Sequence, residues 1–298
     1  MDLVNSEVFR AIVPKFIWKK ILAKAMRSKI LKYYDRLPGP HSEEIESVLG
    51  YLRVKPVTVF PYHFNDQYVA ENIEVHDDKG KGLRYVLLDG KRLYFKRKWS
   101  KNRIRKTFNG LLKEQDQRCP HCYEKDTFKV ENGDVLLDIG AAEGNFSLSV
   151  VEKASRIVLF ESNSDWIEAL QATFEPWKHK VQIVNKFVGN VSNLECTTLD
   201  DFILPGEKVS FVKIDIEGAE SQLLNGSKRF LQEQEALKVA ICTYHKQEDE
   251  NQFRELFSLN GFETSHTDGF MFLYHDKKIE APFLRRGLVR ATKCSKAV

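Results

Sequence analysis

Two rhythms of apolar and polar positions divide the chain. From Val135 onward, short apolar runs rich in β-branched residues are each followed by a segment with the apolar spacing of an amphipathic helix. The runs are VLLDIG, RIVLFES, VQIVN, VSFVKIDI and LKVAICTY, and the helical segments include DWIEALQATF, ESQLLNGSKRFL and ENQFRELFSLNGF. This alternation predicts an α/β fold with a doubly wound, mostly parallel sheet.

The end of the chain breaks this alternation. Two apolar runs, GFMFLY and RRGLVRAT, follow one another there without a helical segment between them. We expect both runs to be strands that complete the sheet with an antiparallel edge pair.

A helical pattern opens the chain. From about Ser6 to Tyr34, apolar residues recur at helical spacing, lysines and arginines occupy much of the rest, and Pro14 predicts a break or a late start. A basic amphipathic helix can lie on an anionic membrane surface. The alternative is a helix that packs on its own protein and leaves a solvated basic face.

A strand pattern follows from about Pro56 to Lys98. Asp89-Gly90 lies between two apolar runs, which is a hairpin signal, and DDKGKG at 77–82 marks another turn. We therefore predict a β-rich basic module with its helix over residues 1–130, and an α/β domain over residues 131–298.

Bulk composition adds little about partners but bounds the setting. The net charge is only +4, the five cysteines are an odd number, and no leading apolar stretch resembles a secretory signal. These features predict a reducing, cytoplasmic environment. The apolar runs are also too short to span a bilayer, so any membrane contact is expected to be peripheral.

The first turn of the α/β domain has the character of a nucleoside site. In VLLDIGAAEGNF, Gly140 and Gly144 lie four apart, while the other positions of a dinucleotide fingerprint are Ala142 and Asn145. The NAD pattern therefore fails, and the Lys and Ser/Thr of a phosphate-binding loop are missing too. Small residues in such a turn still let the backbone approach a ligand closely.

The second strand ends in Glu161, 23 residues beyond Asp138. An acidic residue at that place can accept hydrogen bonds from ribose hydroxyls. A nucleoside without a pyrophosphate, such as S-adenosylmethionine, fits both the turn and the acid. The alternative is an ordinary α/β turn followed by a surface glutamate.

Charged residues interrupt the apolar strand FVKIDIEGAE. Buried parallel strands are usually continuous apolar runs, yet this one holds Lys213 and Asp215 and ends at Glu217. The carboxyl ends of parallel strands open into the ligand crevice, where Asp215 could hold the ammonium of a donor or orient an acceptor. A buried Lys213 needs an anionic partner, for which we predict Asp138 on the adjacent strand. Glu220 is interpreted as an acid at the start of the next helix.

The run ICTYH places His245 at the matching end of the fifth strand. Histidine titrates near neutrality and suits a general base for a hydroxyl group. We therefore assign catalysis to His245 and Asp215; the alternative is a surface or core histidine.

These segments carry a family resemblance. DIGAAEGNFSL, TLDDF (198–202) and VKIDIEGAE resemble the FkbM-type S-adenosylmethionine-dependent methyltransferases, and the likeness runs from Val135 to Lys293, with FLRRGLVRATK similar to the closing strand. The segment from YVLLDGKRLYF to EQDQRCPHCYEK is similar to the N-terminal extension of one subgroup. The resemblance implies methyl transfer to oxygen, commonly a hydroxyl of a sugar or a polyketide-type acceptor. The residues assigned to the cofactor are Asp138, Gly140, Ala141, Ala142, Glu143, Gly144, Asn145, Glu161, Ser162, Asn190 and Asp215.

The motif CPHC at 119–122 invites a metal or redox interpretation. A structural zinc needs about four ligands, but Cys196, Cys242 and Cys294 stand apart from the motif in sequence. We predict no metal. The motif is interpreted as part of a loop over the cofactor, with Gln115, His121 and Tyr123 as lining residues.

A dense basic stretch, KRLYFKRKWSKNRIRKTF at 91–108, also contains aromatic residues. Such a mixture can grip nucleic acid. We rank a solvated strand and helix face first, contact with an anionic glycan carrier second and nucleic acid third.

Together with the patterns, the resemblance implies an enzyme that methylates a hydroxyl of a small molecule or, preferably, of a carbohydrate or glycan intermediate. Methylation of a nitrogen in nucleic acid or protein is the second hypothesis, disfavoured because no Asn/Asp-Pro-Pro-aromatic motif is present. A non-catalytic module that binds a cofactor or a partner is the third.

Overall fold

A computed structural model describes residues 15–294. The part of the predicted first helix from Ser6 to Pro14 lies outside the described residues. The helices are α1 (Lys15–Tyr34), α2 (Glu43–Val54), α3 (Lys101–Glu114), α4 (Asn145–Val150), α5 (Ile167–Phe174), α6 (Leu199–Phe202), α7 (Glu220–Asn225), α8 (Lys228–Glu233) and α9 (Asp249–Leu259). The strands are β1 (His76–Asp78), β2 (Leu83–Leu88), β3 (Lys91–Phe95), β4 (Val135–Ile139), β5 (Arg156–Phe160), β6 (Val181–Val184), β7 (Phe187–Val188), β8 (Cys196–Thr197), β9 (Phe211–Ile214), β10 (Leu237–Cys242), β11 (Glu263–His266) and β12 (Leu288–Lys293).

A seven-stranded sheet organises the second half of the chain. Its strand order is β11-β12-β10-β9-β4-β5-β6, and β12 runs antiparallel to both of its neighbours while the other pairs are parallel. The predicted doubly wound, mostly parallel sheet is therefore confirmed. The strand order reverses at β4, because β5 and β6 extend the sheet to one side and β9 adds to the other. Ligands bind at such a switch point, beyond the carboxyl ends of the strands.

The C-terminal edge differs from the expectation in one strand. RRGLVRAT supplies β12 as predicted, but GFMFLY forms no sheet strand, and only the isolated bridge between Met271 and Arg285 involves it. The outermost strand is instead β11, which pairs with β12. The prediction for GFMFLY was wrong because its apolar side chains serve another core: Phe272 is fully buried with α1 and α2.

The predicted β-rich module contains a small three-stranded antiparallel sheet, β1-β2-β3. The hairpin at Asp89-Gly90 is confirmed, and both residues have the positive φ values, 49° and 77°, that such a turn needs. From Pro56 to Val75 the chain forms bends and short 3₁₀ turns rather than strands. Helix α3 then begins behind an N-cap, since the Ser100 side chain accepts from the Arg103 N–H.

Apolar packing ties the two ends of the described chain together. Leu22, Met26 and Ile30 on α1 share a core with residues of α2 and with the returning segment around Phe272 and Phe283. The aromatic residues of the basic stretch, Tyr94, Phe95 and Trp99, are also buried. Within residues 15–294, no helix combines the length and the apolar character that crossing a bilayer requires.

Candidate active site

The carboxyl ends of β4 and β9 touch at the switch point of the sheet. Gly140 follows β4 with φ +80°, and a Cβ added there would lie 1.9 Å from the backbone oxygen of Asp215, which follows β9. A side chain of any kind is therefore excluded at position 140. The glycine of the first turn is needed for this contact between two strand ends.

A buried ion pair supports the turn from below. Lys213 Nζ lies 3.0 Å from Asp138 Oδ1 and donates to the Gly140 carbonyl at 2.5 Å, and the Ser147 hydroxyl donates to the other Asp138 oxygen at 2.7 Å. The predicted partnership of Lys213 and Asp138 is confirmed. Burial would lower the pKa of Lys213, but the charges of Asp138 and Asp215 outweigh burial and raise it.

A cavity of about 350 Å³ opens above the switch point. That size lies within the usual range of about 300–1,000 Å³ for sites that take small ligands. Its wall combines the predicted turn and the segment of the predicted acid with residues from two further segments, which follow β6 and β9. The lining residues are Ile139, Gly140, Ala142, Phe160, Glu161, Ser162, Asn163, Trp166, Lys186, Phe187, Val188, Asp215, Ile216, Glu217 and Ala219.

Glu161 is fixed in this wall by the backbone. Its two carboxylate oxygens accept hydrogen bonds from the N–H groups of Ala142 and Asn163, at 2.8 and 2.7 Å. Each oxygen keeps a second lone pair for a ligand hydroxyl. An apolar-walled cavity with one oriented carboxylate fits the nucleoside of S-adenosylmethionine, because the ribose supplies two donor hydroxyls.

Six residues assigned to the cofactor are absent from the cavity wall, and the structure shows where their side chains lie instead. Asp138 is 1% exposed because both of its oxygens face Lys213 and Ser147. Gly144 serves packing, since an added Cβ would meet Phe174 at 2.9 Å. Asn145 lines a different cavity, beside Phe146. The others are the buried Ala141, the half-buried Glu143, whose pKa burial raises to about 7, and the exposed Asn190.

Several wall residues were not predicted from the sequence. Trp166, Phe187 and Ile216 follow strand ends at positions where the pattern shows only apolar residues near a loop. From sequence alone, an apolar residue in a loop is interpreted as part of the hydrophobic core, because the sequence does not show which loops meet. The one usable signal was position directly after a predicted parallel strand.

Asp215 is held as an anion. The hydroxyls of Tyr123 and Tyr244 each donate to one of its oxygens at 3.0 Å, and His121 Nε2 lies 3.6 Å away. Burial would raise the pKa of Asp215, but the imidazole of His121 and the charge of Lys213 outweigh burial and hold the pKa well below its usual range. Asp215 is therefore suited to fix charge and geometry rather than to accept a proton.

The loop that contains CPHC lies against Asp215. His121 is 3% exposed, and Arg290 anchors the loop by donating to the Cys122 carbonyl at 2.6 Å. Two of the three predicted lining residues, His121 and Tyr123, reach the site in this way. Gln115 instead accepts from the Tyr123 N–H and faces the cavity beside Phe146.

Asp215 and two neighbouring side chains also have the composition of a metal-ligand set. Ligand atoms of His121, Asp215 and Cys242 all lie within 4.8 Å of one another. Cys242 is fully buried, and burial raises the pKa of its metal-free thiol well above the ordinary value. The arrangement therefore favours a protonated thiol beside His121.

His245 stands between two carboxylates. Its Nδ1 lies 3.0 Å from Glu220 Oε1, and its Nε2 lies 3.8 Å from Asp215 Oδ1 on the side of the cavity wall. Burial would lower the pKa of His245, but contact with Glu220 and the charges of Glu220, Asp215 and Glu217 outweigh burial and raise it. The imidazole is thus oriented by one acid and directed at another.

Glu220 does more than the helix-start role assigned to it. It is 1% exposed, and its Oε1 accepts from the N–H groups of Ile216 and Gly218 at 3.1 and 3.3 Å. Glu217, next to this turn, has φ +57°, a conformation that costs a non-glycine residue free energy. The turn is therefore built to hold Glu220 beneath His245.

Comparison with known protein families gives a match that includes most of the second half of the chain. A family model described as the methyltransferase FkbM domain matches residues 114–276, more than half of the chain. No curated protein gives a significant match.

Solved structures of methyltransferases are similar over part or most of the chain. The FkbM methyltransferase of Methylobacillus flagellatus is 15% identical with a TM-score of 0.44, and the match covers 92% of this chain but 59% of the other. The rRNA methylase of Streptococcus thermophilus is 10% identical, with 56% and 90% of the two chains covered and a TM-score of 0.37. The magnesium protoporphyrin IX methyltransferase of Synechocystis, solved with bound S-adenosylmethionine, is 14% identical, with 54% and 71% covered and a TM-score of 0.37.

Proposed function

The chain belongs to the FkbM family of S-adenosylmethionine-dependent methyltransferases, and we propose that it methylates a hydroxyl oxygen of a carbohydrate or glycan intermediate. The observation that carries the proposal is the position of His245 between the carboxylates of Glu220 and Asp215, the second of which lines the cavity. His245 has the chemistry to receive the proton that a hydroxyl loses when its oxygen attacks a methyl group.

The cavity residues have defined tasks in this proposal. Glu161 would accept hydrogen bonds from the ribose, and the backbone around Gly140 and Ala142 would lie against the ligand. Bound there, S-adenosylmethionine supplies an electrophilic methyl group on a positively charged sulfur. Asp215 and Glu217, which also line the cavity, provide negative charge facing a cationic ligand.

Proton removal falls to His245. The carboxylate of Glu220, 3.0 Å from Nδ1, favours the tautomer with the proton on Nδ1 and the free lone pair on Nε2. Asp215 stays ionised and stabilises the imidazolium once the proton has moved. This division of roles keeps the expectation from the sequence, in which His245 acts as the general base and Asp215 positions the donor or the acceptor.

A hydroxyl on a glycan is favoured over a nucleic-acid base by the surroundings. The aromatic residues of the basic stretch are buried and cannot stack on bases. Part of its charge is also neutralised within the protein, because Arg97 pairs with Glu168 and Lys101 with Asp77.

Incubation with S-adenosylmethionine and fractionated cell glycans, followed by mass spectrometry, tests the proposal. We expect a product heavier by one methyl group whose formation is lost in His245→Ala. Calorimetric binding of S-adenosylmethionine without a methylated product in any fraction would favour the non-catalytic alternative. Methylated RNA or protein in place of glycan would contradict the acceptor class.

A further inference from the structure

The outward face of α1 lines a cationic groove that shares no residue with the cavity of the candidate active site. The groove measures about 540 Å³, and none of its lining residues is acidic. Its cationic members are Lys19, Lys20, Lys24 and Arg27 on α1, with Lys55 just after α2. The concentration of like charge costs free energy unless an anion binds there.

Three lysines of α1 have no ion-pair partner in the part of the chain that the structure describes. Among residues 15–294, Lys19, Lys20 and Lys24 have no carboxylate within ion-pair distance. Lys55 does bond to Asp66, at 2.8 Å, and Arg27 donates to the Arg53 carbonyl. Three charges of the groove therefore remain available to an external anion.

The opposite face of the helix is already occupied. Leu22, Met26, Ile30 and Tyr34 lie one turn apart and are buried in the core that α1 shares with α2. The helix cannot insert these residues into a bilayer without leaving its own protein. Contact with any membrane must therefore be electrostatic and come from the outward face.

Apolar side chains accompany the free charges. Val54 lines the groove and is 71% exposed, and Ile17, two residues before Lys19, is 38% exposed. Lysines interspersed with exposed apolar residues suit the headgroup region of a membrane, which is anionic outside and apolar beneath. A site for a small soluble anion would gain no binding free energy from the exposed side chain of Val54.

We propose that this groove binds the phosphate headgroups of an anionic lipid surface, so that the protein docks on a membrane through the outer face of α1. The inference is independent of the identity of the methyl acceptor. Docking of this kind weakens about five-fold for each basic residue removed and falls as ionic strength rises.

Co-sedimentation of the full chain with vesicles of phosphatidylcholine, with and without phosphatidylserine, tests the proposal. We expect binding only with phosphatidylserine, and a loss of about a hundred-fold in Lys19→Gln/Lys20→Gln/Lys24→Gln, in line with three lysines at about five-fold each. The matched control, Lys91→Gln/Lys98→Gln/Lys106→Gln, removes the same charge from the basic stretch and should retain binding within about two-fold. Thermal melting confirms that both variants are folded.

Three outcomes would overturn the proposal. One is the absence of phosphatidylserine-dependent binding by the wild-type chain, and another is an equal loss in the control variant. The third is saturable binding of inorganic pyrophosphate, lost in the α1 variant, by a chain that does not sediment with vesicles; this would assign the groove to a soluble phosphate.

Discussion

His245 Nδ1 lies 3.0 Å from Glu220 Oε1, and Glu220 is almost completely buried. His245 follows β10, and Glu220 follows the turn after the adjacent strand β9. The pair therefore connects the ends of two neighbouring strands, and Glu220 orients the imidazole. Because Nδ1 lies beside Glu220, Nε2 is the atom that faces Asp215, which lines the cavity. The proposed reaction depends on this arrangement.

Replacement of His245 by Ala should lower kcat by about 10²- to 10⁴-fold, the usual contribution of a positioned general base. Cofactor affinity should change little, since His245 is absent from the cavity wall. Steady-state rates and calorimetric titration with S-adenosylhomocysteine measure the two effects. Unchanged turnover would remove His245 from the chemistry, and a parallel loss of cofactor binding would make its role structural.

The pH dependence of turnover should show how Glu220 affects the pKa of His245. His245 accepts a proton only when it is neutral, and its pKa is raised, so the rate should climb with pH through a value above 6.5. Glu220→Gln removes the negative charge, lowers the pKa of His245 and moves this acidic limb to lower pH, while the maximal rate falls.

Glu217→Gln is the matched control for this experiment. Glu217 also faces His245, at 3.8 Å, but its side chain is 94% exposed and solvent screens its charge. Its effect on the limb should be much smaller. Equal shifts in the two variants, or none in Glu220→Gln, would contradict the orienting role of Glu220.

The free energy of unfolding should depend on pH through the same shift in the pKa of His245. A raised folded-state pKa means that His245 contributes stability below its unfolded pKa of about 6.5, and that this contribution disappears as pH rises through the folded value. The wild type should therefore exceed Glu220→Gln in unfolding free energy most in mildly acidic solution. Urea titrations at several pH values measure the gap; a gap that widens with rising pH would contradict the assignment.

Gly140→Ala should destabilise the protein by more than about 3 kcal/mol and abolish cofactor binding, because the new Cβ would collide with the Asp215 backbone. Gly133→Ala is the control. Gly133 has a similarly positive φ, +91°, but nothing lies within 4 Å of its added Cβ, so only the backbone cost of about 1–2 kcal/mol applies. Similar urea midpoints for the two variants would show that the contact between strand ends is unimportant.

Chelation should leave the enzyme unaffected. The nearby ammonium of Lys213 already compensates the charge of Asp215 and disfavours a divalent ion beside it. Turnover after dialysis against EDTA should equal that of the untreated protein, and elemental analysis should find no stoichiometric zinc. Activity that is lost on chelation and restored by zinc would assign the His121, Asp215 and Cys242 set to a metal.

Strand patterns and strand ends were predictable from sequence. The alternation after Val135 predicted the sheet. The ion pair between Lys213 and Asp138 was predictable because a buried charge on one strand needs an opposite charge on the adjacent strand. GFMFLY was misassigned since an apolar run does not show which core it enters. Its partners, α1 and α2, lie more than 200 positions earlier in the chain.

The candidate site was predictable only in part. Glu161, Asp215 and His245 end predicted strands, so the rule for parallel sheets brought them together. His121 and Tyr123 come from a loop before the sheet, and Glu220 looks in sequence like an ordinary helix-start acid. Their contacts depend on loop geometry, which hydrophobic periodicity does not encode.

A crystal structure of the complex with S-adenosylhomocysteine tests the central claim most directly. We predict the ribose on Glu161, the nucleoside in the cavity beside Gly140, and the sulfur turned toward the space between Asp215 and His245. A nucleoside bound elsewhere, or a sulfur that faces away from His245 Nε2, would contradict the account.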